Sequence, residues 1–144
     1  MREIRKSIDI AAGPDAVWRL LTRLGEYADW NPFYRWALGA VENGAAIRLY
    51  ATPPGSRPFT FRPRVAARRP EKEMLWKGPL RPFGLLRGEQ SFHLRTIEGG
   101  GTRLEQRMRV GGALFLFGGD DALERIGAGM DGMNRAARDR LEGR

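Results

Sequence analysis

Acid–base or nucleophilic chemistry needs a titratable or nucleophilic side chain beside the reacting atom, and this sequence offers few. It has no cysteine and one histidine, His93. Thiolate nucleophiles, disulfides and cysteine–metal sites are therefore excluded. A catalytic zinc takes several His, Cys or carboxylate ligands, so no metal is expected. The Gly-rich segments EGGG (98–101) and FGG (117–119) lack the Lys-Ser/Thr of a phosphate-binding loop and read as turns. No cofactor is expected.

The polar residues that remain lie on two strongly patterned segments. In GEQSFHLRTI (88–97), Gln90, Phe92 and Leu94 share one face. In TRLEQRMRV (102–110), Leu104, Gln106, Met108 and Val110 share one face, and Arg103, Glu105, Arg107 and Arg109 share the other. Strict alternation buries one side of a strand and wets the other. Gln90 and Gln106 therefore point inward, while His93, Glu105 and the arginines point outward. Glutamine donates and accepts hydrogen bonds but has no useful pKa. His93 reads as a surface strand residue rather than a base, and Glu89, beside Gly88, is the acidic reserve. A buried unpaired amide costs about 1–3 kcal/mol. Two inward glutamines thus require a mutual hydrogen bond, water or a ligand. They are read as orienting groups in a wet cavity.

A second concentration of candidates is YADWNPFYRW (27–36), with Tyr27, Trp30, Phe33, Tyr34 and Trp36 around Pro32. It is too broken for a regular helix and too aromatic for an ordinary loop. Trp30 and Phe33 are candidate cavity-wall residues; the plainer alternative is a small core plug. Asn31, before Pro32, reads as a turn residue. Trp76 and Met74 share a face of EKEMLWKG (71–78). Met108, Met130 and Met133 suit a core or an adaptable apolar pocket. Met108→Trp is expected to fill that pocket without unfolding the domain. Gly127, Gly129 and Gly132 weaken the last helix by about 1 kcal/mol each, which points to close packing on the sheet or to a helix that gates the cavity. GPLRPFGLLRG (78–88) reads as a loop, with Phe83, Leu85 and Leu86 capping the mouth and Arg81 and Arg87 available to an anionic ligand end.

These residues need elements to hold them. Ile4, Ile8 and Ile10 mark a first strand. Pro14 opens a short helix bearing Val17, Leu20, Leu21 and Leu24. Ile47, Leu49 and Ala51 alternate, and Phe59, Phe61 and Val65 share a parity across Pro63, which implies an edge or a bulge. The chain ends in a helix of about 20 residues, ~30 Å long. In it Leu123, Ile126, Met130, Met133, Ala137 and Leu141 recur at helical spacing. Asp121 is read as its cap, with Glu124 completing a capping box.

Composition bounds the rest. The 144 residues, 42% apolar and 29% charged, make one soluble globular domain, 1–144. No apolar run is long enough for a membrane span, and the N-terminus lacks the apolar stretch of a signal peptide; a cytoplasmic location is expected. The net charge of +8 is spread along the chain without a long basic run. It reads as a solvated surface, and nucleic acid is not expected as a partner.

PDAVWRLLTRLGEYADWNPF, MLWKG, GLLRGEQSFHL with EGGGTRLEQ, and GMDGMNRAARDRLE occur in that order and together resemble the START-like, or SRPBCC, superfamily, in its polyketide cyclase/dehydrase-like group. The resemblance implies an α+β helix-grip fold: a curved antiparallel sheet of about seven strands around a long C-terminal helix, with two short helices after the first strand. It implies a cavity under that helix for a small, largely apolar molecule, lipid-like or polyketide-like. The expected lining is Trp30, Phe33, Trp76, Gln90, Phe92, Gln106, Met108, Met130 and Met133. Relatives often carry His where this chain has Gln90. Binding without chemistry ranks first, a cyclase or aromatase-like enzyme working by positioning second, and a basic interaction module third. A homodimer stays open.

Overall fold

The structure is a computed structural model that describes residues 2–81, 86–112 and 119–144. β1 (Arg2–Ile10) is followed by α1 (Pro14–Thr22), a 3-10 turn (Leu24–Glu26) and the single-turn α2 (Tyr27–Trp30). Then come β2 (Tyr34–Leu38), β3 (Arg48–Ala51), β4 (Phe59–Phe61), β5 (Arg64–Arg69), β6 (Glu73–Arg81), β7 (Leu86–Thr96), β8 (Thr102–Gly112) and α3 (Gly119–Glu142). Among the described residues, eight strands form one antiparallel sheet in the order β1-β8-β7-β6-β4-β3-β2, with β5 also paired to β6. The curved sheet wraps the long C-terminal helix, as the helix-grip expectation requires.

Local sequence explains the elements. Pro14 stands at the start of α1, and Val17, Trp18 and Leu21 bury one side of it. Ile10, Val17, Leu21, Phe61, Ile126 and Ala137 belong to one continuous core between the sheet and the helices. α3 begins at Gly119, so Asp120 and Asp121 sit in its first turn rather than Asp121 capping it. Both still complement the positive end of the helix, as Arg140 complements its last turn. Lys6 Nζ reaches Asp131 Oδ2 at 3.3 Å and ties α3 to the sheet edge.

Two expectations change in the middle of the chain. The Phe59-to-Val65 segment is two strands, laid end to end along one edge of β6: Phe61 pairs with Leu80, and Arg64 with Lys77. Arg62 and Pro63 pass between them directly over Gly78. A Cβ on Gly78 would fall 2.4 Å from the Arg62 carbonyl oxygen, so glycine alone fits there.

The expected loop at 78–88 is strand over most of its length. Gly78 pairs with Gly88, Pro79 with Arg87, and Leu80 with Leu86. Pro79 lacks an N–H, and its carbonyl accepts from Arg62 N at 3.1 Å where the chain passes from β4 to β5. Leu80 and Leu86 are buried in the core, and this apolar parity overrides the Gly and Pro turn signals. Leu86 is therefore core rather than a mouth cap. Arg81 and Arg87 are exposed on the outer parity, away from the interior. Phe83 and Leu85 lie outside the described residues.

Candidate functional site between the sheet and the long helix

Antiparallel pairing puts inward side chains into cross-strand rows. One row runs Val65–Trp76–Gln90–Met108–Ile4 and the next runs Met74–Phe92–Gln106–Lys6. Phe33, Trp76, Gln90, Phe92, Gln106, Met108, Met130 and Met133 are all fully buried, each 0% exposed. Trp30 is half-buried and packs edge-on against Tyr27, with ring centroids 5.3 Å apart. The sequence-derived candidates thus converge on one region, eight inside and Trp30 at its corner. The wet cavity expected around the glutamines is closed: none of the eight has appreciable surface open to water. Flexible methionine side chains are the groups best suited to filling such a space.

A chain of four polar side chains crosses this apolar interior. Tyr34 Oη donates to Gln90 Oε1 at 2.9 Å, and Gln90 Nε2 donates to Gln106 Oε1 at 3.0 Å. Gln106 Nε2 donates to Asn134 Oδ1 at 2.7 Å and approaches the Met130 carbonyl oxygen at 3.4 Å. The relay therefore runs from β2 through β7 and β8 to α3. Trp76 stands beside Gln90 and leans on the Phe92 ring at 5.0 Å, yet its Nε1 has no partner. Burial pushes the Tyr34 phenol well above the ordinary tyrosine range, and does the same to Tyr27. The relay is accordingly neutral throughout the physiological range. It can orient a polar group but carries no proton ready for acid–base transfer.

Two members of the relay, Tyr34 and Asn134, escape sequence reasoning. A register shift between Tyr34 and Trp36 leaves Arg35 unpaired. By simple alternation Tyr34 and Trp36 share a face. The bulge instead turns Tyr34 inward and Trp36 outward, where it stacks on Tyr50 at 5.7 Å. Asn134 lies four residues after Met130, on the inward stripe of α3. A polar residue one turn beyond an inward methionine was the available signal.

The aromatic segment 27–36 also fixes α3. Tyr27 is buried and donates to the Leu21 carbonyl at 2.6 Å. Asn31 Oδ1 accepts from the backbone N–H groups of Phe33 and Tyr34, both at 2.9 Å, so Asn31 is the expected turn residue. Phe33 lies flat against the helix at Gly129, where an added Cβ would come within 2.4 Å of its ring. Gly127 faces Ile4 and Lys6 of β1 in the same way, at 3.1–3.2 Å. Close packing accounts for both glycines.

The other candidates are on the outer face, as parity required. His93 Nε2 lies 3.1 Å from Ser91 Oγ, and its Nδ1 lies 3.6 Å from Glu73 Oε2. Open depressions of about 700 Å³ and 340 Å³ flank it, lined largely by charged residues. Glu89, the acidic reserve, is held between Arg109 at 3.1 Å and Lys77 at 3.6 Å and faces away from the interior. Among the described residues, no group of three or more His, Asp or Glu is arranged to hold a metal, and no helix is long and apolar enough to cross a membrane.

The sequence profile of the polyketide cyclase/dehydrase and lipid transport family matches residues 1–143. The chain belongs to that family. Solved structures repeat its architecture at low sequence identity. A START superfamily protein from Mycobacterium smegmatis aligns over 98% of this chain and 97% of its own, with 18% identity and a TM-score of 0.79. The Zhui aromatase/cyclase from a Streptomyces species aligns over 98% and 93%, with 19% identity and a TM-score of 0.73. The major latex-like protein 151 of Panax ginseng aligns over 97% of both chains, with 11% identity and a TM-score of 0.76. At these identities the likeness is one of fold. No curated protein matches the chain by sequence.

Proposed function

We propose that this family member binds a small, largely apolar molecule between the sheet and α3, against Trp30, Phe33, Trp76, Phe92, Met108, Met130 and Met133. The observation that carries this reading is the buried polar relay Tyr34–Gln90–Gln106–Asn134, with the unpartnered Trp76 N–H beside it. An apolar core would need neither a buried phenol and three buried amides nor an orphaned indole N–H. A binding wall gains direction from them. Because the interior is closed, entry requires the methionines to repack and α3 to yield locally. The family description, which joins cyclisation with lipid transport, accommodates this reading.

A cyclase-like activity is the second reading, favoured by one observation. The unpartnered Trp76 N–H beside the relay is a neutral donor suited to an oxygen that gains charge as a chain folds and closes. Such an enzyme would work by positioning, without a general base.

The test is thermal unfolding against fatty acids, sterols, flavonoids and aromatic polyketides. A ligand at about 100 times its Kd adds roughly 2.7 kcal/mol, or about 8 °C for a domain of this size. A shift confined to one chemical class supports binding. No shift with any class contradicts it.

A further inference from the structure

The orphaned polar groups of the interior are all of one kind. Among the described residues, four buried side-chain polar atoms have no partner: Trp30 Nε1, Asn31 Nδ2, Trp76 Nε1 and Asn134 Nδ2. Each is an N–H donor. For the two indoles this follows from covalent structure. For the two asparagines it follows from their neighbours.

Asn31 presents one amide atom to the N–H groups of Phe33 and Tyr34, both at 2.9 Å. That atom must be the oxygen, so the other is the donor. Asn134 is fixed through the relay. The Met130 carbonyl can only accept, so the Gln106 amide atom 3.4 Å from it is Nε2. The same Nε2 lies 2.7 Å from Asn134, whose facing atom must then be Oδ1. Gln106 Oε1 is left for Gln90 Nε2, and Gln90 Oε1 for the Tyr34 hydroxyl. One backbone carbonyl thus sets the direction of every amide in the chain. The three amide oxygens of the relay accept from the Tyr34 hydroxyl, Gln90 Nε2 and Gln106 Nε2, and the surplus at the α3 end is an N–H group.

The interior also lacks charge. The buried polar residues among those described, Asn31, Gln90, Thr102, Gln106 and Asn134 with the phenols Tyr27 and Tyr34, are all neutral. The inward-facing Lys6 lies at the sheet edge and is engaged by Asp131 at 3.3 Å.

We infer that the ligand is a neutral molecule whose polar atoms are acceptor oxygens, of the carbonyl, quinone or ether type, received by Trp76 Nε1 and Asn134 Nδ2. This rests on the binding reading above and narrows it. A hydrocarbon would leave both donors unpaired. A donor-only molecule would likewise leave both unpaired. A carboxylate would be buried without a cation, at a larger cost still. The protein therefore selects against free fatty acids.

Four flat probes of similar size separate these cases: flavone (acceptors only), 2-phenylindole (donor only), 2-phenylnaphthalene (hydrocarbon) and 2-phenylquinoline-4-carboxylate (anion). Their Kd values are measured by calorimetric titration on the wild-type protein and on Trp76→Phe, with thermal unfolding to verify folding. Flavone is expected to bind tightest, by about tenfold or more. Trp76→Phe should lower the flavone-to-hydrocarbon affinity ratio by about the same factor, because the ratio cancels the change of ring shape. If any other probe equals flavone on the wild type, or the ratio is unchanged in the variant, the acceptor assignment falls while binding stands. If none of the four binds while a fatty acid or sterol raises the unfolding temperature, the acceptor assignment falls and binding stands; if nothing in either set binds, the binding reading fails and this inference with it.

Discussion

Replacing Gln106 by leucine tests the relay directly. Gln106 accepts from Gln90 at 3.0 Å and donates to Asn134 at 2.7 Å. Leucine removes both bonds and strands Gln90 Nε2 and Asn134 Oδ1 in a fully buried setting. Two stranded groups at about 1–3 kcal/mol each cost about 2–6 kcal/mol. Burying leucine in place of the amide returns about 1–2 kcal/mol. A net loss of about 0–5 kcal/mol follows from these two figures. Gln90→Leu likewise strands two groups, the Tyr34 hydroxyl and Gln106 Oε1. The double variant also strands only two, the Tyr34 hydroxyl and Asn134 Oδ1, because the central bond is deleted from both sides. Additivity would require four. The double variant should therefore cost no more than either single one, with a coupling of about 2 kcal/mol or more. Urea unfolding followed by tryptophan fluorescence measures this through the midpoint at constant slope. If the double variant equals the sum of the singles within about 0.5 kcal/mol, the two glutamines are not energetically joined and the relay argument is wrong.

Four further outcomes follow from the same geometry. Gly129→Ala should destabilise by about 1–3 kcal/mol, since its Cβ meets the immobile Phe33 ring at 2.4 Å. Gly132→Ala, whose Cβ meets Pro32 at an ordinary 3.8 Å, should stabilise by up to about 1 kcal/mol in the same denaturation assay. Met108→Trp, expected from sequence to leave the fold intact, should instead cost about 1–3 kcal/mol, because the Met108 methyl group is already packed over Gly88 with Leu80 and Phe61. His93 is held below the ordinary imidazole value of 6.5, first by burial and then by Arg107 and Arg5 against the pull of Glu73 and Glu105. The unfolded chain then binds more protons, so this contribution to stability is complete above about pH 6.5 and is lost as pH falls through the folded value. His93→Gln should flatten that slope, and the single imidazole resonance in proton NMR should titrate below 6.5.

Much of this arrangement was legible in the sequence because two of its rules are strict. Alternation on β7 and β8 placed Gln90, Gln106 and His93 on the correct faces. Helical spacing placed Met130 and Met133 against the sheet. What escaped depended on geometry that no local pattern records. Tyr34 turns inward because of a bulge at Arg35. The 78–88 segment is largely strand because Leu80 and Leu86 bury together, which outweighs the turn preferences of Gly78, Pro79 and Gly88. Gly129 owes its place to the Phe33 ring, nearly a hundred residues earlier in the chain. The direction of the relay, and with it the donor character of Asn134 Nδ2, is set by a backbone carbonyl at Met130. A residue-by-residue reading sees no such constraint.

The central claim is that a small molecule enters between the sheet and α3. The most direct test labels the methionine methyl groups with carbon-13 and titrates in whichever compound raises the unfolding temperature. The account requires the Met108, Met130 and Met133 resonances to move together and saturate with the calorimetric Kd. If that compound saturates the protein while all three resonances stay in place, it binds elsewhere and the interior is a closed core.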